Sequence, residues 1–186
     1  MANPAPAANR QWDNTAMTPE QRQTTLDLLS DAARDGQLRG GRVRVRGGCM
    51  APLLVDGDEV TLAASEPLRP GQIVLARLGG ELLCHRLLAI DAESCEIAGD
   101  TDLRLDRVPL ADLLGRVAAA HTLRFGGARL ELAAPTLAER LLCRWQLWSC
   151  RGRGFLQLRL DGLRRRLLAG LARRRWLRSL SLSQQL

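Results

Sequence analysis

The chain contains no lysine and no tyrosine, has two histidines, and is only 3% aromatic over its 186 residues. All 27 basic residues are therefore arginine. The absence of lysine excludes a Schiff base, a phosphate-gripping P-loop lysine and a serine–lysine dyad. The scarcity of aromatics means that any core must be aliphatic. At 46% hydrophobic residues there is enough material to build one, which excludes wholesale disorder. No stretch approaches the roughly 18 uncharged apolar residues of a spanning helix. The opening MANPAPAANRQWDNTAMTPEQ lacks the basic-then-apolar pattern of a secretory signal. Five cysteines form no Cys-x-x-Cys pair and no zinc-type spacing with histidine. Free thiols in a cytoplasmic setting are expected, with no cofactor and no metal.

The net charge of +7 is unevenly placed. Residues 136–186 hold 12 arginines against only Glu139 and Asp161, whereas residues 1–135 hold 15 arginines against 18 acids. The basic character belongs to the tail, so the overall charge does not make the chain a nucleic-acid binder.

Residues 1–17, rich in Ala, Pro and Asn, are expected to be disordered. Thr18-Pro19-Glu20-Gln21 reads as a helix start, with Thr18 as N-cap, Pro19 at the first helical position and Gln21 closing a capping box. The arm so begun should end near Gly36, within residues 18–40. From Gly41 the period becomes two: Arg42-Val43-Arg44-Val45-Arg46 alternates as a half-buried strand does. Further strands are expected near 58–63, 72–77, 81–90, 94–98 and 115–125. Gly126-Gly127 should turn the last of these into a hairpin with 128–132. The fold class is thus mainly β, a compact antiparallel domain over 41–134. A basic α-helical tail follows over 135–186, in which Leu137, Leu141, Trp145 and Trp148 and then Leu156, Leu160, Leu163, Leu167 and Leu171 mark apolar stripes.

Three segments carry candidate chemistry. Gly47-Gly48-Cys49-Met50-Ala51-Pro52-Leu53 puts a thiol at a strand end, where two glycines let the chain turn and Pro52 keeps Ala51 out of helical geometry. Leu83-Cys84-His85-Arg86 puts an imidazole in an apolar strand. Ala98-Gly99-Asp100-Thr101-Asp102-Leu103-Arg104-Leu105-Asp106 is an acidic turn. Thiol, imidazole and carboxylate are the parts of a nucleophilic site. By themselves these residue types are common, and a buried small hydrophobe at Cys49 or a core histidine at His85 is the plain alternative.

Order and local context add to this. Gly47-Gly48-Cys49-Met50-Ala51-Pro52-Leu53, Gly57-Asp58, Pro70-Gly71-Gln72-Ile73-Val74, His85-Arg86, Gly99-Asp100-Thr101 and Gly115-Arg116-Val117 follow one another along the chain. From Val45 to Val117 the sequence resembles the catalytic domain of the type I signal peptidase and LexA-like peptidase superfamily. That family shows Gly-x-Ser-Met-x-Pro-x-Leu, Gly-Asp, Pro-Gly-Asp-Ile-Val, Lys-Arg or His-Arg, Gly-Asp-Asn and Gly-Lys/Arg-Val in the same order. The sequence departs from it in two places. His85 stands where many members have lysine, as in the endoplasmic-reticulum and archaeal branch, whose histidine is backed by two acids six residues apart. Asp100 and Asp106 keep that interval. Cys49 stands where the family has its nucleophilic serine, and Gly47 occupies a position that is often serine and assists the oxyanion.

The resemblance implies a peptidase in which Cys49 attacks, His85 moves the proton, Asp106 orients His85 and Asp100 supports, with Asp102 competing. Backbone amides of the Gly47–Gly48–Cys49 segment would hold the oxyanion, and Met50 and Pro52 would border the substrate. A neighbouring imidazolium would lower the Cys49 pKa to roughly 3.5–7.5. The substrate would be a peptide or protein precursor bound as an extended strand. Two alternatives stay open: an inactive peptide-binding module of the same fold, and a thiol-dependent acyl or peptidyl transferase. Family members usually carry an N-terminal membrane anchor, which this sequence does not show. Residues 136–186 could dock on an anionic membrane surface or an acidic protein, or cover the β domain with a solvated arginine face. Nucleic acid is the least favoured partner. His121 reads as structural, Cys84 and Cys95 as core residues, and Cys143 and Cys150 as neighbours on one helical face.

Overall fold

The computed structural model describes residues 18–34, 38–63, 68–102, 104–122, 128–132, 134–151 and 155–183. The segment expected to be disordered, 1–17, lies outside the described residues, as do Gly36 and the Gly126-Gly127 turn.

Helix α1 (Pro19–Arg34) starts where its capping chemistry dictates. The Thr18 amide donates to Gln21 Oε1 at 3.0 Å and the Gln21 amide to Thr18 Oγ1 at 3.3 Å. Strands β1 (Arg42–Arg44), β2 (Glu59–Ala63), β3 (Ile73–Leu78), β4 (Glu81–Ile90), β5 (Ser94–Ala98), β6 (Asp106–Pro109), β7 (Leu113–Thr122) and β8 (Ala128–Glu131) follow. They pair antiparallel in the order β1-β2-β7-β3-β4-β5-β6, with β8 on β7. Register slips at Thr61/Leu62, Leu75/Ala76 and Leu87/Ala89 add local twist and curl the sheet into a half-barrel.

The sheet is buried on both faces, which explains the unbroken apolar run of β3. Ile73 and Leu75 join one core with Met50, Leu54, Val60 and Val117, while Val74 and Ala76 join the other with Leu87, Ile97 and Val108.

Two strand expectations are corrected. The first strand stops at Arg44 rather than Arg46. Val45 still bonds to Asp58 O (2.7 Å) and accepts from the Gly57 amide (3.0 Å), but the chain then swings through Gly47 at φ +77. The end of the acidic turn is a strand: Asp106 opens β6, paired through Ile97↔Asp106.

The tail is helical as α2 (Leu137–Arg151) and α3 (Phe155–Ser183), but the expected apolar stripes are not the packed faces. Leu137, Leu141 and Trp148 are 72%, 57% and 59% exposed, and the residues buried on α2 are Glu139, Leu142, Cys143 and Gln146. On α3, Leu163 and Leu167 point outward, while Arg164, Leu168, Ala172 and Trp176 are buried. Side chains of Leu156 and Leu160 lie outside the described residues. The polar inner face has a reason: the surface beneath α2 presents backbone carbonyls and an arginine, which need partners more than they need leucine. Glu139 takes Arg175 Nη2 at 2.7 Å, and Gln146 donates to the Gly99 carbonyl at 2.7 Å.

Candidate active site

The Cys49 loop is built from turns. Its frame is set by Asp56, whose Oδ1 accepts the Gly47 amide at 2.9 Å, and by Ala51 N–H to Gly48 O at 3.0 Å. Thr101 locks the loop to the acidic turn. Its amide donates to Cys49 O at 2.9 Å and its hydroxyl to Cys49 O and Gly48 O at 3.0 and 3.2 Å. The approach is close enough to require glycine beneath it. A Cβ on Gly99 would lie 2.8 Å from Cys49 O and 3.0 Å from Cys49 Cβ. Gly99→Ala should therefore displace the Cys49 loop. The expected outcome is a fold that persists while Cys49 alkylation rate and any peptide cleavage change at least tenfold; unchanged Cys49 reactivity would refute the contact.

The turn is itself held from three sides. Arg86, fully buried on β4, makes a two-pronged pair with Asp100, Nε and Nη2 each 2.6 Å from a carboxylate oxygen, and its Nη1 donates to Gly71 O at 2.8 Å. Gln146 reaches in from α2 to the Gly99 carbonyl.

His85 is buried on β4 with Nδ1 3.8 Å from Asp106 Oδ2. Asp106 Oδ1 is engaged by the exposed Arg104 at 2.9 Å. The β4–β5 pairing ends at Arg86↔Ala98, one residue short of Gly99, the glycine on which Cys49 rests, and Cys49 packs against the core cluster that also takes Cys84. Among the described residues no hydrogen bond joins Cys49 to His85, and His85 Nδ1 has no hydrogen-bond partner.

Burial pushes the Cys49 thiol above its ordinary value; its own amide and that of Met50 oppose this, and Asp100 and Asp102 add to it. Burial likewise pushes His85 below its ordinary value, with Asp106 the largest opposing influence. Burial thus favours the neutral form of each group, a thiol and an imidazole, over the thiolate that a neighbouring imidazolium would hold. The remaining thiols are ordinary core residues, with burial raising Cys84 to about 12 and Cys95 and Cys143 to about 11.

Three candidate residues sit differently from their expected roles. The Gly47 amide is taken by Asp56 and is not available to an oxyanion. The Met50 side chain is fully buried in the main core and borders no substrate, while Pro52 is exposed. Asp100 spends both oxygens on Arg86, so it braces the turn rather than touching His85. Reading residues alone missed Gln146, Arg104 and Thr101. Arg104 and Thr101 lie inside the quoted acidic turn, but nothing in sequence marks a mid-helix glutamine as a partner of a distant carbonyl.

Residues 13–99, just under half of the chain, match the family model described as Peptidase S24-like. That match supports a likeness of the strand domain to the LexA and signal-peptidase-like superfamily. That superfamily is one of peptidases, which supports a peptidase-type function in general terms. No curated protein matches the sequence. The S24-like segment includes Cys49, His85 and Arg86 and stops before Asp100 and Asp106.

Proposed function

We propose that this S24-like domain is an endopeptidase that cuts a precursor, leader or signal-like peptide through a covalent intermediate on Cys49. The reading rests on one observation above all: the Cys49 loop is seated on Gly99 and bonded to Thr101, at the start of the turn that leads to Asp106, whose carboxylate lies 3.8 Å from His85 Nδ1. With Nδ1 turned to Asp106, Nε2 of His85 is the nitrogen left to take the thiol proton. Sulfur then bonds to the scissile carbonyl carbon, and the Cys49 and Met50 amides face the developing oxyanion. Collapse breaks the C–N bond, His85 returns the proton to the leaving amine, and water cleaves the thioester. A neutral pair can do this because the proton moves during attack and no resting thiolate is needed.

The test is incubation of the full chain with a randomised peptide library, read by product sequencing and by intact mass of the protein. Cleavage with an acyl adduct on Cys49, both abolished in Cys49→Ala, is the expected result. The raised Cys49 pKa and the missing Cys49–His85 bond favour a second reading, a peptide-binding module. Peptide retention without cleavage would establish it and overturn the first. Transfer of the acyl group to an added amine in preference to water would identify a transferase instead.

A further inference from the structure

The outward face of α3 is not used by the site or by the core. Leu163, Leu167 and Leu177 are 50%, 46% and 55% exposed and fall within an arc of about 80° on a helix of 3.6 residues per turn. The packed residues Arg164, Leu168, Ala172 and Trp176 centre on the opposite side, with Ala172 and Trp176 in the main core. The helix therefore lies along the domain with a leucine stripe turned away from it, about 20 Å long from Leu163 to Leu177. Arg166 and Arg173 border that stripe and Arg174 lies within it; all three are exposed and make no hydrogen bond or ion pair with any described residue. The pattern recurs on α2, where Leu137, Leu141 and Trp148 are exposed with the likewise exposed Arg144 among them.

We infer that the outer face of α3 docks in the plane of an anionic lipid surface. Leucines bordered by arginines match acyl chains bordered by phosphate headgroups, and guanidiniums bind phosphate in a two-pronged way. A second copy of the chain fits less well, because it would bring another face with 12 arginines against two acids over residues 136–186. A nucleic acid would use the arginines but leave the leucines in water. No described helix is long and apolar enough to cross a membrane, so the contact lies on the surface. This inference goes beyond the peptidase reading and does not depend on it.

The experiment is flotation of the full-length protein with two kinds of vesicle at about 0.15 M salt. One is phosphatidylcholine alone; the other carries about a quarter phosphatidylglycerol. The protein should float with the second and stay below with the first. Leu163→Ser/Leu167→Ser should lower bound protein at least tenfold, and Arg173→Gln/Arg174→Gln should lower it about fivefold per arginine removed. All four positions are exposed, and an unchanged circular dichroism spectrum and melting point confirm that each variant is folded. Failure to float with anionic vesicles overturns the inference. So does flotation insensitive to the leucine pair, which would indicate charge alone. So does a dimer in light scattering that the leucine pair dissolves, which would assign the face to a second copy.

Discussion

Arg86→Met should lose about 3–5 kcal/mol of folding stability, the cost of leaving a buried carboxylate without its partner. Asp100 and Arg86 are both almost completely inaccessible, and each Asp100 oxygen has an arginine nitrogen 2.6 Å away. Removing the cation strands Asp100 and also frees the Gly71 carbonyl. For a chain of this size the melting point should fall on the order of 10 °C. Urea unfolding of Arg86→Met, Asp100→Leu and the double variant measures this. The double variant should recover part of the loss, since it leaves no unpaired charge behind. If Arg86→Met matched the wild type, Asp100 would have to be protonated or solvated, and the bracing role assigned to the pair would be wrong.

The largest effect on catalysis should come from His85. Its removal (His85→Ala) is expected to lower kcat/KM by about 10²–10⁴-fold, the usual contribution of a positioned base. The pH profile carries the finer test. The base works when neutral, so the rate falls as pH drops through the folded pKa of His85, which burial holds below its ordinary 6.5. Cys49 stays protonated up to its own pKa, which lies above the ordinary 9.0. Activity should therefore be level across neutral pH, with its acid limb below pH 6.5. Asp106→Asn removes the charge that opposes the burial effect on His85, so the acid limb should move lower still while the plateau drops through lost orientation. Alkylation of Cys49 with iodoacetamide should show no enhanced reactivity below the ordinary thiol range. A Cys49 that reacts fast at pH 5 would mean a resting ion pair and would contradict the neutral-pair mechanism.

Much of the strand pattern was legible because it follows from a period of two bounded by glycine, proline and aspartate. The 81–90 and 94–98 strands fall where that pattern puts them. The Asp106–Pro109 strand was not legible: four residues ending in proline give too short an alternation to stand out from a turn. The Thr136-x-x-Glu139 start of α2 is a second capping box of the same kind as Thr18-x-x-Gln21, with Thr136 Oγ1 accepting the Glu139 amide at 3.3 Å, and it was readable in principle. Which helix faces pack on the domain was not legible, and the leucine stripes turn out to lie on the outer side. Periodicity assumes that apolar residues face inward, and that assumption fails where the surface to be covered is polar. Glu139 and Gln146 are buried because of what they meet, a long-range fact that no local window contains. In the site, the Cys49, His85 and Asp106 positions were visible from motif order. The assignment of Asp100 to Arg86 required knowing that the turn after the Ser94–Ala98 strand brings Asp100 onto Arg86 of the neighbouring strand.

Gln146 gives the helical tail a meaning that its sequence position hides. By holding the Gly99 carbonyl it ties the Leu137–Arg151 helix to the glycine on which Cys49 rests, so the folded unit that carries the candidate site does not end with the last strand. A version shortened to residue 134 would keep every residue of the candidate triad and lose the support of the floor beneath Cys49. Anyone grafting this chemistry onto another scaffold would have to transplant the helix together with the strands.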